Sequence, residues 1–521
     1  MKKTKFNRAI LFAAGTLAVL TLNVGAQTPP ASPPPPAASD NPLLDTLIQK
    51  GILTEAEAKK IEAETVARQT NLPGGPSISK WKVSDTIKSI QLYGDLRLRY
   101  EYRGVDNPPP LTVGAFHPDT YYRERFRYAL RIGLRGDLAD DFNYGLRLET
   151  SSNPRSPWST FGNNTTSGSA TPADKSQSSI YLGQAYIGWH LSDWYEMTVG
   201  RMPMPLYTTP MVWDSDINPE GAFEKFKFTT GDVDWFLDFG QWDYQDPNEA
   251  GDFPSSDTFM LTWQGGANVR LGKDVSFKVA PMLYTYTGMG STNGIGAGPN
   301  GLNIPYVGQG SLGYNPNFGS ASSYTPQYNQ DGINDLLVLE IPAEFNVKIR
   351  NTPLGDLQAR VFGDFAYNLD GADRARAAFT AGGPAAFPGA AGPQTSQVKA
   401  WQAGIGIGSA GPLYGPTQGL VYGSTSKRNT WEARFYWQHI EQYALDVNMI
   451  DSDFFEGRAN LQGFYSAFAY SITDCIIGTL RFGYATQIKD NLGTGGNNLD
   501  IPGINPIKNY HVVQADLTWR F

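Results

Sequence analysis

The chain has 521 residues, a net charge of −8 and a single cysteine, Cys475, so a disulfide-stapled fold is excluded. The mild acidity gives no indication of nucleic-acid binding. The chain contains 27 Tyr, 27 Phe, 12 Trp and 56 Gly, although only 40% of its residues are hydrophobic and its mean hydropathy is −0.35. Aromatic and glycine richness without overall hydrophobicity is typical of short alternating strands, half facing lipid and half facing water.

Residues 1–26 predict a secretory signal peptide. Four basic residues among the first eight precede an apolar run over residues 9–24, and the small residues at 24–26 offer a cleavage site. A retained N-terminal anchor is the alternative, but the apolar run is short and proline follows it closely. We therefore expect an exported chain without its leader, and no later segment is long and apolar enough to predict a transmembrane helix.

Three short segments come between the leader and the strands. Residues 27–40 are a Pro-rich extended linker, residues 41–70 predict a periplasmic α-helical hairpin, and residues 71–87 are a second linker. Within the hairpin, Thr54 and Glu57 form a capping-box pattern that begins the second helix. A tethered hairpin is the plain interpretation, and a plug, an oligomerisation element or a cell-wall contact is the functional alternative.

Residues 88–521 predict a transmembrane antiparallel β-barrel. Polar and apolar residues alternate there, as in strands with one wet and one oily face. The candidate strands cover residues 90–103, 121–137, 141–150, 179–191, 194–201, 221–229, 231–240, 257–271, 274–287, 334–349, 354–370, 397–409, 428–443, 459–472, 474–488 and 508–521. Short turns alternate with long polar loops between them, which is the arrangement of outer-membrane barrels.

We therefore predict an all-β fold of about 16 strands with a short helical segment before it. One connection, residues 410–427, should be a short turn but is long, and an extra strand pair around residues 419–424 would make eighteen. A soluble multi-domain β protein also has alternating strands. The predicted leader, the turn–loop asymmetry and the aromatic final strand disfavour it.

The last strand ends in Phe521, on the same apolar face as Trp519 and Leu517. A terminal Phe after such a strand resembles the signal by which outer-membrane barrels are recognised for assembly. Phe521 is therefore the predicted assembly signal, with the barrel-assembly machinery and outer-membrane lipid as partners.

Four stretches of the chain resemble the putative-porin family of Gram-negative outer membranes, over most of residues 41–521. They are GILTEAEAKKIEAE, RERFRYALRIGLRGDLADDFNYGLRLETSSNP, IYLGQAYIGWHLSDWYEMTVGRMPMPLYTTPMVWDSDINPEG and DSDFFEGRANLQGFYSAFAYSITDCIIGTLRFGYA. They are similar to the family's N-terminal helical segment, its Arg-rich early strands, its Gly-Arg-Met stretch with an acidic loop, and its final hairpins. The resemblance implies a pore-forming barrel, with a homotrimer as the default by analogy, but no defined substrate and no catalytic residues.

Arginines crowd onto one face of the first three predicted strands. The predicted basic wall consists of Arg97, Arg99, Arg123, Arg125, Arg127, Arg131 and Arg147. In a sixteen-strand ring the opposite wall carries Glu340, Glu344 and Asp364 on the same side. Because such a lumen is too wide for side chains to fill, its lining charges govern passage. We expect either a transverse field that orients dipolar solutes or ordinary salt bridges that hold the wall rigid.

Residues 202–220 form the third long loop, the one that folds inward in sixteen-stranded porins. If it does so here, Asp214, Asp216 and Glu220 would face the basic wall, and this candidate constriction rests on fold analogy alone. The acidic spacing also hints at calcium, but the glycine and distal glutamate of an EF-hand are missing, so we expect no metal.

The sequence favours an outer-membrane porin for passive diffusion of small hydrophilic solutes or ions, with no cofactor. The first alternative is a structural or adhesive barrel that its loops block, with residues 288–333 as the leading blocker. The second is a barrel hydrolase that uses His190 or His439. Because no Gly-x-Ser-x-Gly or His-Glu-x-x-His motif occurs, we expect no enzyme activity.

Overall fold

The computed structural model describes part of the chain, in two units, Met1–Lys82 and Val83–Phe521. The described residues are 50, 54, 56–60, 84–106, 120–151, 156–162, 178–245, 258–287, 333, 335–386, 391–409, 427–494 and 507–521. The predicted leader, the Pro-rich linker, the extra strand pair and nearly all of the predicted blocking loop lie outside them.

In the first unit, residues 56–60 are helical. The Thr54 N–H donates to Glu57 Oε2 at 2.9 Å, and the Glu57 N–H donates to Thr54 Oγ1 at 3.4 Å. This reciprocal pair confirms the predicted capping box. The Thr54 backbone bond, with a second bond from its hydroxyl, lowers the pKa of the Glu57 carboxyl because both favour the charged form.

The second unit is a closed antiparallel barrel. Its strands are β1 (Gln91–Asp106), β2 (Thr120–Asp137), β3 (Phe142–Ser151), β4 (Ser159–Thr160), β5 (Ser179–Ser192), β6 (Tyr195–Arg201), β7 (Glu220–Thr230), β8 (Val233–Gln245), β9 (Thr258–Arg270), β10 (Val275–Val279), β11 (Met282–Thr287), β12 (Leu337–Thr352), β13 (Gly355–Asn368), β14 (Lys399–Gly408), β15 (Trp431–Ile440), β16 (Leu461–Ser471), β17 (Ile476–Gln487) and β18 (Asn509–Arg520). Apart from β4, β10 and β11, strands that follow one another in the chain are paired, β3 pairs with β5, and β1 also pairs with β18.

The wall of this barrel has sixteen strands. β4 is a two-residue strand at the side of β2, and β10 and β11 are two halves of one wall strand between β9 and β12. The halves are separated at Pro281, which has no N–H to give to the ladder. Every predicted strand overlaps one wall strand, so the prediction of sixteen is confirmed.

The eighteen-strand alternative is wrong for the wall. β14 pairs directly with β15, from Ala400 opposite Ile440 to Gly408 opposite Glu432. Since these two strands are immediate neighbours in the ladder, nothing in the long connection between them can widen the ring.

The barrel closes where β1 meets β18. Their register sets Asp95 opposite Arg520 and Asp106 opposite Asn509. Phe521 continues this ladder, because its N–H donates to the Gly94 carbonyl at 3.1 Å and its carbonyl accepts from the Gly94 N–H at 2.9 Å. A Cβ added at Gly94 would lie 2.7 Å from the Phe521 ring, so glycine is what leaves room for that ring.

Alternation gives the wall an apolar outer face and a polar inner face. Exposed apolar side chains on the outer face include Leu98, Phe126, Ile132, Leu146, Ile187, Leu237, Val361, Ile405, Phe435, Phe468 and Leu480. Their sequence neighbours Arg99, Arg127 and Arg360 are buried on the inner face. A contiguous apolar exterior around polar contents is a surface that a bilayer would cover.

The long connection after β13 contains helix α1 (Gly371–Ala386). Ala375 and Ala378 pack there against Val398, Tyr443 and Leu492 in a small separate core. Within the described ranges, no helix combines the length and apolarity needed to span a membrane.

Candidate functional site: the barrel lumen

Register brings the predicted basic wall together on the inner face of β1, β2 and β3. Arg99 lies between Arg127 of β2 and Asp516 of β18, two residues below Glu101. Like charges directly opposite each other destabilise a strand pair. The Arg99–Arg127 pairing therefore requires carboxylates close by.

Glu101 is the first of these carboxylates, and it is 0% exposed. It accepts hydrogen bonds from Arg125 Nε at 2.6 Å, Arg103 Nη2 at 3.0 Å and Gln514 Nε2 at 2.8 Å. Arg127 Nη1 lies 3.8 Å from the same carboxylate. The buried Glu101 carboxylate thus pairs with several inward-facing arginines, and a buried charge needs such partners to offset the cost of removing it from water.

Asp516 and Asp453 neutralise the next level of the wall. Arg99 donates from Nε to Asp516 at 2.8 Å and from Nη1 to Asp453 at 2.7 Å, and Arg481 also donates to Asp516. The Arg99 guanidinium lies 4.0 Å from the centre of the Trp158 ring, a cation–π contact.

The remaining predicted basic residues lie at the margins of this network. Arg97 and Arg131 share Asp95, at 2.8 Å and 2.9 Å. Arg147 lies 3.1 Å from Glu149, and Arg123 sits opposite Arg103 in the register. The basic wall is therefore a salt-bridged network, which was the plainer of the two expectations.

Residues 202–219, the inward loop, enter the lumen and cross it. On the far side, Thr208 Oγ1 donates to Glu340 Oε1 at 2.7 Å, and Thr209 Oγ1 donates to Asp364. Farther along the loop, Asn218 Oδ1 accepts from Arg147 at 3.3 Å and from Gln184 at 2.8 Å. Both ends of the crossing are thus fastened by side-chain hydrogen bonds to the wall.

A second loop, residues 441–460, meets the inward loop in the lumen. Each carries the tripeptide Asp-Ser-Asp, at 214–216 and at 451–453. The two tripeptides form the same Asx turn, with the third residue's N–H donating to the first carboxylate at 2.9 Å and 3.0 Å. Ser452 then donates from its N–H and its hydroxyl to Asp214 Oδ2, at 3.1 Å and 3.0 Å.

Burial and neighbouring charges together shift the pKa values of the four aspartates in these turns, and not all in the same direction. Burial raises the pKa of Asp214, with Asp451 adding to the effect, and it raises the pKa of Asp216 against the opposing charge of Arg131. Burial and the neighbouring Asp453 raise the pKa of Asp451 to about 7. Burial would also raise the pKa of Asp453, but Arg99, Arg481 and Arg103 hold it below its usual value.

Apolar side chains from both loops fill the middle of the lumen. The inward loop buries Leu206, Met211 and Trp213 in the same cluster as Leu445 and Phe454 of the second loop. Because these side chains are almost fully buried, the loops form a packed partition.

A cavity remains on either side of the inward loop. The arginine cavity has a volume of about 310 Å³, and its charged lining residues are Arg97, Arg99, Arg131, Arg434, Arg481, Arg520, Asp216, Asp451, Asp453 and Asp516. The lysine cavity has a volume of about 340 Å³ and is lined by residues that include Tyr207, Lys225, Phe236, Asp238, Lys278 and Glu344.

Four predicted acidic residues do not face the arginines. The threonines of the inward loop donate hydrogen bonds to Glu340 and Asp364, and Glu344 lies 3.4 Å from Arg360. Glu220 begins β7, where the register sets it opposite Arg201 and the two form an ion pair. Residues of the inward loop thus lie between the two predicted walls, and the transverse field stays a prediction. Asp214 and Asp216 do reach the side of the arginines.

Several residues of the arginine cavity were missed from the sequence. Asp516 and Arg520 lie on the polar face of the final predicted strand, so their inward position could have been predicted from the alternation. The repeated Asp-Ser-Asp tripeptide could likewise have drawn attention to both loops. Trp158 lies in an irregular connection beside β4, where no periodicity points to it.

The histidines considered for hydrolysis have other partners. His190 contacts Asn143 at 2.8 Å and Glu196 at 3.4 Å. His439 contacts Gln462 at 3.0 Å and stacks on Trp401. Among these contacts in the described part of the chain there is no serine.

The family model described as putative porin matches residues 109–297. None of the curated proteins matches the chain. Similar solved structures include the anion-selective porin from Comamonas acidovorans, with 9% identity and a TM-score of 0.37 over 83% of this chain and 99% of that one. They also include a triple mutant of the Rhodopseudomonas blastica porin, with 10% identity and a TM-score of 0.34 over 83% of this chain and 100% of that one. The porin-family match falls on a closed sixteen-stranded barrel, and it confirms the family resemblance predicted from the sequence.

Proposed function

We propose that this protein is an outer-membrane porin through which small hydrophilic solutes or ions diffuse passively. The observation that carries the proposal is a closed sixteen-stranded wall with an apolar exterior and charged cavities beside an inward loop. A wall of this size encloses more space than its own side chains fill. The match to the porin family supports the same function.

The arginine cavity gives the pore a weak preference for anions. Its lining holds six arginines and four aspartates, and burial keeps two of those aspartates, Asp216 and Asp451, protonated to a higher pH than usual. The excess of positive charge favours anions in a confined space, and salt weakens the effect within a Debye length of about 10 Å at 0.1 M.

The proposed route to the membrane follows the sequence. Residues 1–26 are removed as a signal peptide, residues 27–40 and 71–87 are linkers, residues 41–70 lie in the periplasm, and residues 88–521 insert with the help of the barrel-assembly machinery. Phe521 acts as the assembly signal, since it pairs with Gly94 at the closing seam.

A homotrimer is the proposed assembly. Glu224 supports it, because it lies on the outer face of β7 in register with Phe239, where it accepts a hydrogen bond from the Tyr195 hydroxyl at 3.0 Å. A charged group facing lipid is unfavourable, and a subunit interface would cover it. Cross-linking in detergent should show three subunits, and a purely monomeric pattern would remove this part of the proposal.

Planar-bilayer conductance tests the main proposal. The refolded full chain should open step-like, ohmic channels whose reversal potential in a salt gradient lies on the anion side. A protein that inserts but never opens such channels would overturn it.

A loop-blocked structural or adhesive barrel is the second candidate. The packed partition formed by the inward loop and the second loop favours it, because side chains that fill the lumen leave less open space for ions to pass. The same bilayer experiment decides between the two, since this candidate inserts and conducts nothing.

A further inference from the structure

The lysine cavity lies on the side of the inward loop away from the arginines. Side chains of the wall strands line it, together with Pro205 and Tyr207 of the inward loop. The wall residues that carry the argument are Lys225 of β7, Phe236 and Asp238 of β8, Lys278 of β10 and Glu344 of β12. Lys227 and Asp234 also line the cavity, but they form ion pairs with Glu196 and Arg270. Its volume of about 340 Å³ is at the lower end of small-molecule sites, which span roughly 300–1,000 Å³.

Two of the three lysines that line the cavity, Lys225 and Lys278, lie beside aromatic rings. Lys278 Nζ lies 3.7 Å from the centre of the Tyr207 ring and 5.4 Å from that of Phe236. Lys225 Nζ lies 5.2 Å from the Phe236 ring. Cation–π contacts hold an ammonium group without using up its three hydrogen-bond donors. Both lysines can therefore still donate to an anionic group in the cavity.

Asp238 provides the opposite charge. It is 1% exposed, and neither carboxylate oxygen has a hydrogen-bond donor among the described residues. Lys225 Nζ is 3.6 Å from Asp238 Oδ2, which is an ion-pair distance but too long for a normal hydrogen bond. Buried carboxylates in native proteins are nearly always hydrogen-bonded, so both oxygens of Asp238 are able to accept from the ammonium group of a molecule in the cavity.

The charges of the cavity are close to balanced. Lys225 and Lys278 face Asp238 and Glu344, and Glu344 is already 3.4 Å from Arg360. Asp238, whose ion-pair contact with Lys225 is 3.6 Å long, can still accept a hydrogen bond from a ligand cation, and Lys225 and Lys278 can donate to a ligand anion. A molecule with a single charge would satisfy only one side of the site.

Phe236 and Tyr207 supply an apolar surface between these charges. The Phe236 ring lies over Gly266, where an added Cβ would be 2.0 Å from the ring, so glycine allows the ring to lie against the wall. Tyr207 is fixed through its backbone, which exchanges two hydrogen bonds of 2.8 Å with the Gln264 side chain. Rigid aromatic faces of this kind hold the apolar body of a ligand.

We propose that the lysine cavity is a binding site for a small zwitterion, an α-amino acid with an apolar side chain. Its ammonium donates to Asp238, its carboxylate accepts from Lys225 and Lys278, and its side chain rests on Phe236 and Tyr207. This site rests on the porin function proposed above, and it adds a solute class to it.

The site is tested by measuring binding affinities calorimetrically. The full chain, folded in detergent, is titrated with three molecules of matched shape. L-phenylalanine carries both charges, 3-phenylpropanoate only the negative one and 2-phenylethylammonium only the positive one. L-phenylalanine should bind at least about tenfold more tightly than either analogue, because each analogue loses a charge-assisted hydrogen bond.

Two variants separate the charges of the site. Asp238→Asn should weaken L-phenylalanine and 2-phenylethylammonium about tenfold and leave 3-phenylpropanoate unchanged. Lys278→Gln should weaken L-phenylalanine and 3-phenylpropanoate and leave 2-phenylethylammonium unchanged. Structural damage would lower all three affinities together, so the crossed pattern is specific. If Asp238→Asn does not fold, the Lys278→Gln comparison decides alone.

Asp356→Asn is the matched control, since this exposed carboxylate is the second residue of β13, does not line the lysine cavity and should change no affinity. No binding of L-phenylalanine to the natural chain, or equal binding of all three molecules, overturns the site. Binding without any bilayer conductance would instead keep the site and remove the porin function.

Discussion

Glu101 is the residue on which the basic wall depends most. It is fully buried, and two arginines and one glutamine donate to it within 3.0 Å. Removing one partner of a buried ion pair costs about 3–5 kcal/mol, because the other charge is left uncompensated. The arginines around Glu101 therefore stabilise the wall, and each one removed also takes a positive charge from the lumen.

Replacing Arg125, Arg127 and Arg147 with Gln tests the role of those charges. The triple variant should move the reversal potential in a salt gradient toward cations, because three positive charges leave the inner face while Glu101 and Glu149 remain. The shift should shrink as salt rises. An unchanged reversal potential at low salt would place these arginines outside the conducting path.

Asp451 makes selectivity depend on pH. Its pKa is about 7, so the carboxyl is mostly neutral at pH 6 and mostly charged at pH 8. Asp453 keeps its negative charge across that range because its own pKa is lowered. The other titratable or charged neighbours of Asp451 are Asp214, Asp216 and Arg103. Anion preference should therefore fall as pH rises from 6 to 8. Asp451→Asn should remove most of that change, and an equally pH-dependent variant would contradict the assignment.

At the scale of elements, the inward loop determines the shape of the lumen. Thr208 and Thr209 tie it to Glu340 and Asp364, two carboxylates that are almost fully buried. A hydrogen bond of this kind contributes about 0.5–1.5 kcal/mol to stability. These two bonds and the apolar packing with the second loop hold the loop across the lumen.

Thr208→Val combined with Thr209→Val should free that end of the inward loop. Valine keeps the shape of threonine but cannot donate, so the two acids lose their donors. Single-channel recordings should show more frequent current fluctuations than the natural protein, with normal heat-modifiable migration as evidence of folding. Recordings as quiet as those of the natural protein would mean that apolar packing alone fixes the loop.

The wall strands were predictable because each has one face in contact with apolar surroundings, which imposes a period of two. The inner placement of Arg99 and Arg125 followed from the same alternation. Their partners did not follow, because Asp453 reaches Arg99 from a loop more than three hundred residues away. Loop positions depend on tertiary contacts such as Thr208 with Glu340, and local periodicity carries no information about these.

At the scale of the whole molecule, the ring is completed by Gly94 and Phe521. Deleting Phe521 should impair insertion, because two backbone hydrogen bonds at the edge of β1 then lose their partner where lipid offers none. Gly94→Leu should have a similar effect, since its side chain would meet the Phe521 ring. Outer-membrane yield and heat-modifiable migration measure both variants. Normal values after deletion of Phe521 would contradict its role.

The position of the closing seam has a consequence for folding. Arg99 and Asp516, which bond across it, are 417 residues apart in the chain. Contacts of such long range form late, because the entropy of closing the intervening chain must first be overcome. The charged wall is therefore finished only when the last strand docks on the first. In any folding intermediate whose seam is still open, Asp516 does not lie beside Arg99. The charged lining that determines selectivity is therefore completed in the same step that closes the barrel.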